Sequence, residues 1–581
     1  MTWCDVYHGF HVGCCPGRGG VAVSDLEHDA DVVIVGSGAA GLVAGLVVAE
    51  RGLRCLVLEK SELVGGSSGL SGGGLWIPAN PLMRAAGVPD AVEDARRYLE
   101  AVIGDAGPAS SPARREAFLR TGPALVAFLR GLGLRLVRSA GYPDYHPDQP
   151  GASILGRCVE ARIFDGRRLG PWLAKLRIRP GAVALPFYNR EIPHLGLAGR
   201  TVQGFWTAVN VRWVRRFGRR LLRQAPLTGG ASLVGQLLQL NLRRGTEVWL
   251  QCPVLELIMR DGRVVGVTVE RQGRRLRIGA ARGVLLAAGG FARNEQMRQQ
   301  YHPHPISATW SMAAPTDTGD GIRAGMAIGA ATALMDDAWW GPALLLPGGI
   351  AVFTLRERSL PGSIIVDHNG QRFMNESASY VDCGHRIYQR NQTVTAIPAW
   401  LIIDDKHRRR YPFVMLRPAR TPDTIIESGF LKRANSLPEL AGQIGVDPDG
   451  LAATVRRFNR FAAAGRDEDF HRGDTAYDRF YGDPRVNPNP NLGTIDTPPY
   501  YASAIYPGDL GTKGGLLTDE HARVLRDDTT PIPGLYAAGN TTASVMGRTY
   551  PGPGCTLAAA TVFAYLAAQH ATNHSHSDER H

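Results

Sequence analysis

Asp31-Val-Val-Ile-Val-Gly-Ser-Gly-Ala-Ala-Gly41 runs a short apolar stretch into a Gly-x-Gly-x-x-Gly turn, and Glu59 ends the next apolar stretch 23 positions after Gly36. The glycines have separate physical tasks. Gly36 permits a tight strand-to-helix turn, Gly38 lets the backbone approach a pyrophosphate, and Gly41 allows close helix–strand packing. Ser37, Ala39 and Ala40 complete the turn as cofactor-contacting positions, where the free amides of a helix start face the phosphates. Glu59, with Lys60 beside it, stands where an acid accepts from ribose hydroxyls and disfavours a 2′-phosphate. The pattern predicts a strand at 32–35, a helix at 39–51 and a strand at 54–59. This is the βαβ start of a Rossmann-type dinucleotide-binding domain.

A second loop, Gly65-Gly-Ser-Ser-Gly-Leu-Ser-Gly-Gly-Gly74, follows closely and offers Gly66, Ser67, Ser68, Ser71 and Gly72 to the same ligand. Gly283-Val-Leu-Leu-Ala-Ala-Gly-Gly290 predicts a central strand returning to the cofactor at Ala288 and Gly289. Far downstream, Gly534-Leu-Tyr-Ala-Ala-Gly-Asn540 ends a strand at Gly539 and Asn540, and Tyr550-Pro-Gly-Pro-Gly-Cys-Thr556 opens a helix at Thr556 and Leu557. Amides at that helix start are suited to negative charge on a reduced flavin pyrimidine. A simple NAD domain has no need of this distant return, so the cofactor reads as non-covalently bound FAD. The expected fold is α/β, a Rossmann-type FAD-binding domain built from both ends of the chain with an inserted α+β catalytic (cap) domain. The expected layout is a disordered N-terminal extension at 1–28, FAD-binding segments at 29–340 and 509–570, the insertion at 341–508, and a disordered tail at 571–581.

Between these ends, the pattern predicts a helix at 228–240, a strand at 247–250, and a hairpin of 254–259 and 263–269 turning at Asp261-Gly262. Glycine is 70 of 581 residues without a period, which excludes collagen-like sequence and places the excess at ligand turns. Net charge is +12, and much of it is arginine: Arg212, Arg215, Arg216, Arg219, Arg220 and Arg223 interleave with Trp213, Val214, Phe217 and Leu221. The segment 212–223 suits peripheral contact with an anionic membrane, although a solvated helix face is the favoured reading. No nucleic-acid recognition module accompanies the charge. The eight cysteines form no Cys-x-x-Cys pair, which argues against a disulfide scaffold, a zinc site or an iron–sulfur cluster and suits a cytoplasmic protein. The histidine-rich tail reads as disorder and not as a metal site.

These stretches, with Ser71-Gly-Gly-Gly-Leu-Trp-Ile-Pro78, Tyr142-Pro-Asp-Tyr145, Arg372-Phe-Met-Asn-Glu-Ser377, Gly511-Thr-Lys-Gly-Gly515 and Val545-Met-Gly-Arg-Thr-Tyr-Pro-Gly-Pro-Gly554, resemble the 3-ketosteroid Δ1-dehydrogenases, within the fumarate reductase-like flavoproteins. The resemblance implies removal of two hydrogens between carbons 1 and 2 of a 3-ketosteroid. It implies that the Tyr550 hydroxyl and Gly554 amide bind the carbon-3 carbonyl as an oxyanion hole. It implies that Tyr380 takes the carbon-2 proton, that Tyr145 supports or relays from Tyr380, and that hydride passes from carbon 1 to flavin N5. An external electron acceptor, a quinone for example, would then reoxidise the flavin. Cys555 stands where the family pattern has alanine, and as a small buried hydrophobe it changes little. The segment 187–226 is longer and more basic than the resemblance leads one to expect.

A phenol at its reference pKa of about 10 is a poor base at neutral pH, and burial raises it further, so Tyr380 needs a hydrogen-bonding partner. Three other readings compete. A sister enzyme acting between carbons 4 and 5 of 5α-steroids would keep much of the tyrosine logic. A fumarate reductase-like enoate reductase would need arginine and histidine for a dicarboxylate, where this chain offers tyrosine, proline and glycine. A non-enzymatic flavin-bearing scaffold would leave the tyrosines unused. Of Trp339 and Trp340, at least one is expected in the core.

Overall fold

The computed structural model describes residues 27–179, 185–414 and 416–573. The first apolar run forms the strand His28–Val35, four residues longer at its start than expected, and lies at the centre of an eight-stranded sheet. Val33 pairs in parallel with Leu56 on one side and with Val284 on the other. Val284 in turn pairs in parallel with Leu535, so strands from both ends of the chain share one sheet. The glycine turn leads into the helix Ala39–Glu50, whose Leu42, Val43, Leu46, Val47 and Val48 are all buried. A helix this apolar on every side belongs inside, between the sheet and the helices Gly229–Arg243 and Cys555–Asn573. Asn241 donates its amide to the Leu42 carbonyl at 2.8 Å, a buried polar tie within a mostly apolar contact.

The hairpin forms as Val254–Arg260 and Arg263–Arg271, with Asp261 and Gly262 both at positive φ (49° and 77°), the signature of a tight two-residue turn. The strand expected at 283–290 is longer and earlier, Arg274–Leu286, because its first half pairs with the hairpin. A second, six-stranded sheet carries Ala338–Leu346 and Tyr500–Thr512 side by side. The expected breaks at 340/341 and 508/509 therefore fall inside two paired strands of that sheet. The last helix runs to Asn573, past the expected start of the tail at 571. Ala571 is buried there, and Asn573 accepts from Arg51 at 2.7 Å. The expected extension up to residue 26 and the tail from 574 lie outside the described residues.

Residues Val202–Val209, Asn210–Arg215 and Arg216–Leu221 make one helical run, its middle turn widened to π geometry. Among the described residues no helix is long and apolar enough to cross a membrane.

Candidate functional site

The cleft at the C-terminal ends of the parallel strands is built first from backbone. Gly36 has φ +110°, and a Cβ there would lie 2.3 Å from the Ala287 carbonyl oxygen, so only glycine keeps the two strand ends this close. Gly38 caps the first helix, Ala39 and Ala40 form its first turn, and the Ala39 amide donates to the Ser68 hydroxyl at 3.1 Å. Glu59 is buried and accepts from the Ser37 hydroxyl (2.6 Å), the Ser37 amide (3.2 Å) and the Ser61 amide (3.0 Å). Those donors fix its carboxylate at the cleft floor. Lys60 turns away to Thr318 and Asp320, at 2.6 Å each.

The glycine–serine loop wraps the same cleft as a short helix, Gly66–Leu70. Ser67 donates to Asp317 at 2.7 Å, and Ser71 closes on the Ser68 carbonyl, holding the loop's own shape. The Gly72 carbonyl accepts from the Asn189 side chain at 2.8 Å. Asp317 packs against Gly289, and burial pushes its carboxyl up to about 7. Thr541 donates to the Gly289 carbonyl at 2.9 Å; Ala288 and Gly289 lie just past the strand that ends at Leu286, and Gly539 opens the turn to Asn540. A dinucleotide's diphosphate and ribose fit this set: amides at a helix start, a glycine cradle that a Cβ would fill, and an acid at the end of the second strand.

The aromatic half of the site sits where the last helix begins. Tyr145, Tyr380 and Tyr550 come from three distant parts of the chain and form one cluster. Ring centres are 5.0 Å apart for Tyr380 and Tyr550, 5.2 Å for Tyr145 and Tyr550, and 5.6 Å for Tyr145 and Tyr380. All three are buried. Burial raises the Tyr145 and Tyr380 hydroxyls well above the ordinary phenol value, and the neighbouring phenols add to it. Burial pushes Tyr550 only to about 12, because hydrogen bonds from Thr556 and Tyr380 ease it back. The Thr556 hydroxyl donates to the Tyr550 oxygen at 3.4 Å. Leu557, next to Thr556 in the first turn of the last helix, packs at the edge of the same core. Gly554 has φ +94°, and a Cβ there would press within 2.4 Å of the Gly74 backbone, so the end of the glycine–serine loop and the 550–556 segment touch through two glycines.

Around the cluster stand residues that the sequence reading named, Trp339, Trp340 and Cys555, and supports to which it gave no role, Lys513, Asp337, Tyr477 and Phe353. Trp339 meets Tyr550 edge to face at 5.1 Å and donates to Asn540 at 3.2 Å, whereas Trp340 is core against His302 and Tyr388. Lys513 is buried beneath Trp339 and donates to the Thr549 carbonyl at 3.1 Å, one residue before Tyr550. Against the effect of burial, Lys513 and His385 hold the Asp337 carboxyl down at about 2. Tyr477 packs on Tyr145 at 4.4 Å, and Phe353 on Tyr380 at 5.4 Å. Cys555 is fully buried, with its sulfur accepting from the Gly552 amide at 3.2 Å.

The Tyr145 loop is fixed to the Tyr550 loop through Pro551, whose carbonyl accepts from the Tyr145 amide (2.9 Å) and the Tyr98 hydroxyl (2.5 Å). Next to it, Asp144 accepts from the Trp76 indole (2.7 Å) and from Arg157 (2.8 Å), and Arg157 also forks onto Asp90. All three charged side chains are almost fully buried. Replacing Arg157 by alanine leaves two buried carboxylates unpaired, and the expected loss is about 3–5 kcal/mol of folding stability. A urea titration of the flavin-loaded variant checks this; an unchanged midpoint would remove the triad as the brace of this loop.

Comparisons with known proteins place the chain in a family. The chain matches the FAD binding domain family over residues 31–557. It is 45% identical over 559 residues to a 3-oxosteroid 1-dehydrogenase of Mycobacterium tuberculosis, covering 93% of this chain and 98% of that one. It is 37% identical over 558 residues to a 4-oxocyclohexanecarboxylate 2-dehydrogenase of Sinomonas cyclohexanicum, covering 92% of each. The crystal structure of a 3-ketosteroid Δ1-dehydrogenase from Sterolibacterium denitrificans, in complex with 1,4-androstadiene-3,17-dione, superposes with a TM-score of 0.89 at 39% identity. That match covers 94% of this chain and all of the other.

Proposed function

The chain belongs to the 3-oxosteroid 1-dehydrogenase family of FAD-binding oxidoreductases, and from that premise we propose that its reaction is the 1,2-dehydrogenation of a 3-ketosteroid. The observation that carries the reading is the convergence of Tyr145, Tyr380 and Tyr550 beside Gly554, at the mouth of the last helix. A ring ketone needs two donors at its oxygen and a base at the adjacent carbon. Tyr550, kept protonated by its raised pKa, donates its hydroxyl to the carbon-3 carbonyl, and the Gly554 amide is the second donor. With that oxygen polarised, the proton on carbon 2 is acidified and passes to the Tyr380 oxygen as its C–H electron pair becomes part of the new carbon 1–carbon 2 double bond. FAD, when bound, supplies the acceptor for the hydride that leaves carbon 1. Tyr145 holds the Tyr380 ring and is the partner through which the accepted proton leaves. The burial of all three phenols keeps water from the ketone, so each hydrogen bond acts in a low dielectric. The cycle closes when an external electron acceptor of the quinone class takes up the reducing equivalents.

The alternatives predict different surroundings. A dicarboxylate substrate calls for free cations, yet Lys513 and His385 are both engaged by Asp337. The match to a solved 3-ketosteroid Δ4-(5α)-dehydrogenase from Rhodococcus jostii, with a TM-score of 0.62 at 22% identity, is a likeness of fold.

Anaerobic addition of androst-4-ene-3,17-dione to the yellow protein is expected to bleach it and give the 1,4-diene. Succinate, which a fumarate reductase-like site would oxidise to fumarate, and 4-oxocyclohexanecarboxylate serve as controls. Bleaching by either control and by no 3-ketosteroid in a panel would overturn the substrate; a 4-ene product from a 5α-steroid alone would move the reaction to carbons 4 and 5.

A further inference from the structure

Thirteen large apolar side chains are strongly exposed among the described residues, and eight of them fall between Val202 and Leu222. Trp206, Trp213, Phe217 and Leu221 recur at intervals of seven, four and four, so they share one side of the helical run. Their exposures are 62%, 69%, 62% and 75%. The opposite side is the one that packs: Val211 is buried, and Gly204 lies against the Leu197 carbonyl, where a Cβ would come within 2.4 Å. This helix is amphipathic with its apolar side outward.

Charge selects what covers that side. No aspartate or glutamate occurs between Glu191 and Glu247, a stretch that holds nine arginines. Arg215 is spent on Glu191, at 2.8 Å through both nitrogens. Arg212, Arg216 and Arg223 remain exposed beside the apolar stripe. Two indoles and a phenyl ring ringed by guanidinium groups match the boundary between acyl chains and anionic headgroups.

The segment is also held rigidly to the body. The Asn189 amide donates to the buried Glu160 carboxylate at 3.0 Å, and its side chain bonds Gly72 of the glycine–serine loop. Arg200 pairs with the buried Asp483 at 2.8 Å, on the same chain segment as Tyr477 and Tyr481. Helix, cofactor loop and tyrosine cluster are thus tied in series.

We propose that the helical run 202–221 is an interfacial anchor that seats the protein on anionic lipid bilayers, with Trp206, Trp213, Phe217 and Leu221 inserted at headgroup depth. The surface stands independently of the steroid reading, because lipid binding is measured without substrate.

The test uses the flavin-loaded full chain and vesicles of phosphatidylcholine alone or mixed with phosphatidylglycerol. Sedimentation with the mixed vesicles and little with the neutral ones is expected. Trp213→Glu combined with Phe217→Glu should abolish sedimentation and leave flavin absorbance and turnover of a dissolved substrate unchanged. Arg216→Gln should weaken partition about fivefold, the worth of one surface cation near an anionic leaflet. Failure to bind mixed vesicles overturns the proposal. So does a concentration-dependent dimer that Trp213→Glu dissolves without any change in vesicle binding, which would make the stripe a contact between two copies.

Discussion

Tyr550→Phe is expected to cost about 10²–10³ in turnover, the range found when one donor of an oxyanion hole is removed. The flavin spectrum should stay as it is, because the Tyr550 hydroxyl touches Thr556 and Tyr380 and not the dinucleotide cradle at Gly36. Removing one oxygen leaves the ring packed on Trp339 and Tyr145, so the fold loses little. The loss should fall on turnover much more than on KM, since the hydrogen bond strengthens as negative charge develops on the carbonyl oxygen. Stopped-flow reduction of the flavin under anaerobic conditions reads the step directly. A variant that is reduced at near-normal rate would take Tyr550 out of the carbonyl site and leave Gly554 alone there.

The parts of this site that sequence reading reached are those set by local rules. Gly36 and Gly41 announce a turn because a Cβ at either would run into backbone, and the Asp261-Gly262 hairpin follows from two residues that tolerate positive φ. The supports it missed have no local signature. Arg157 reads as one arginine among many until it is found buried between Asp90 and Asp144, and Lys513 until it is found under Trp339. Asp317 follows the same logic: a polar loop residue by sequence, it lies in the cleft because the turn at Gly289 brings it against Ser67. The expected joins at 340 and 508 fall inside strands for a related reason. Cofactor-type composition ends near Trp340 and resumes near Pro507, but the strands there pair with each other, and pairing across more than 160 residues is a tertiary fact. The arginine-rich run shows the limit most clearly. Its periodicity was readable, yet only the fold decides that Val211 faces inward and Trp213 outward.

Tyr380→Phe is expected to remove about 10²–10⁴ of the turnover, the usual contribution of a positioned proton acceptor. Its pH dependence separates this role from a packing role. Burial and the neighbouring Tyr550 raise the Tyr380 hydroxyl well above the ordinary phenol value. The form that accepts a proton is the phenolate or a phenol already sharing its proton with a neighbour, and both are scarce below the pKa. Each pH unit upward multiplies the phenolate fraction by about ten. The rate of flavin reduction in the parent protein should therefore climb with pH through the neutral and alkaline range, without a plateau before ordinary phenols titrate. In Tyr380→Phe the climb should vanish along with the rate. In Tyr145→Phe the climb should persist at a lower rate, because the ring contact at 5.6 Å survives while the exit for the proton does not. A flat profile in the parent protein, or an unchanged slope in Tyr380→Phe, would move proton abstraction to another group; the buried phenols that meet the cluster through Tyr145 are Tyr477, at 4.4 Å, and Tyr142, at 6.4 Å.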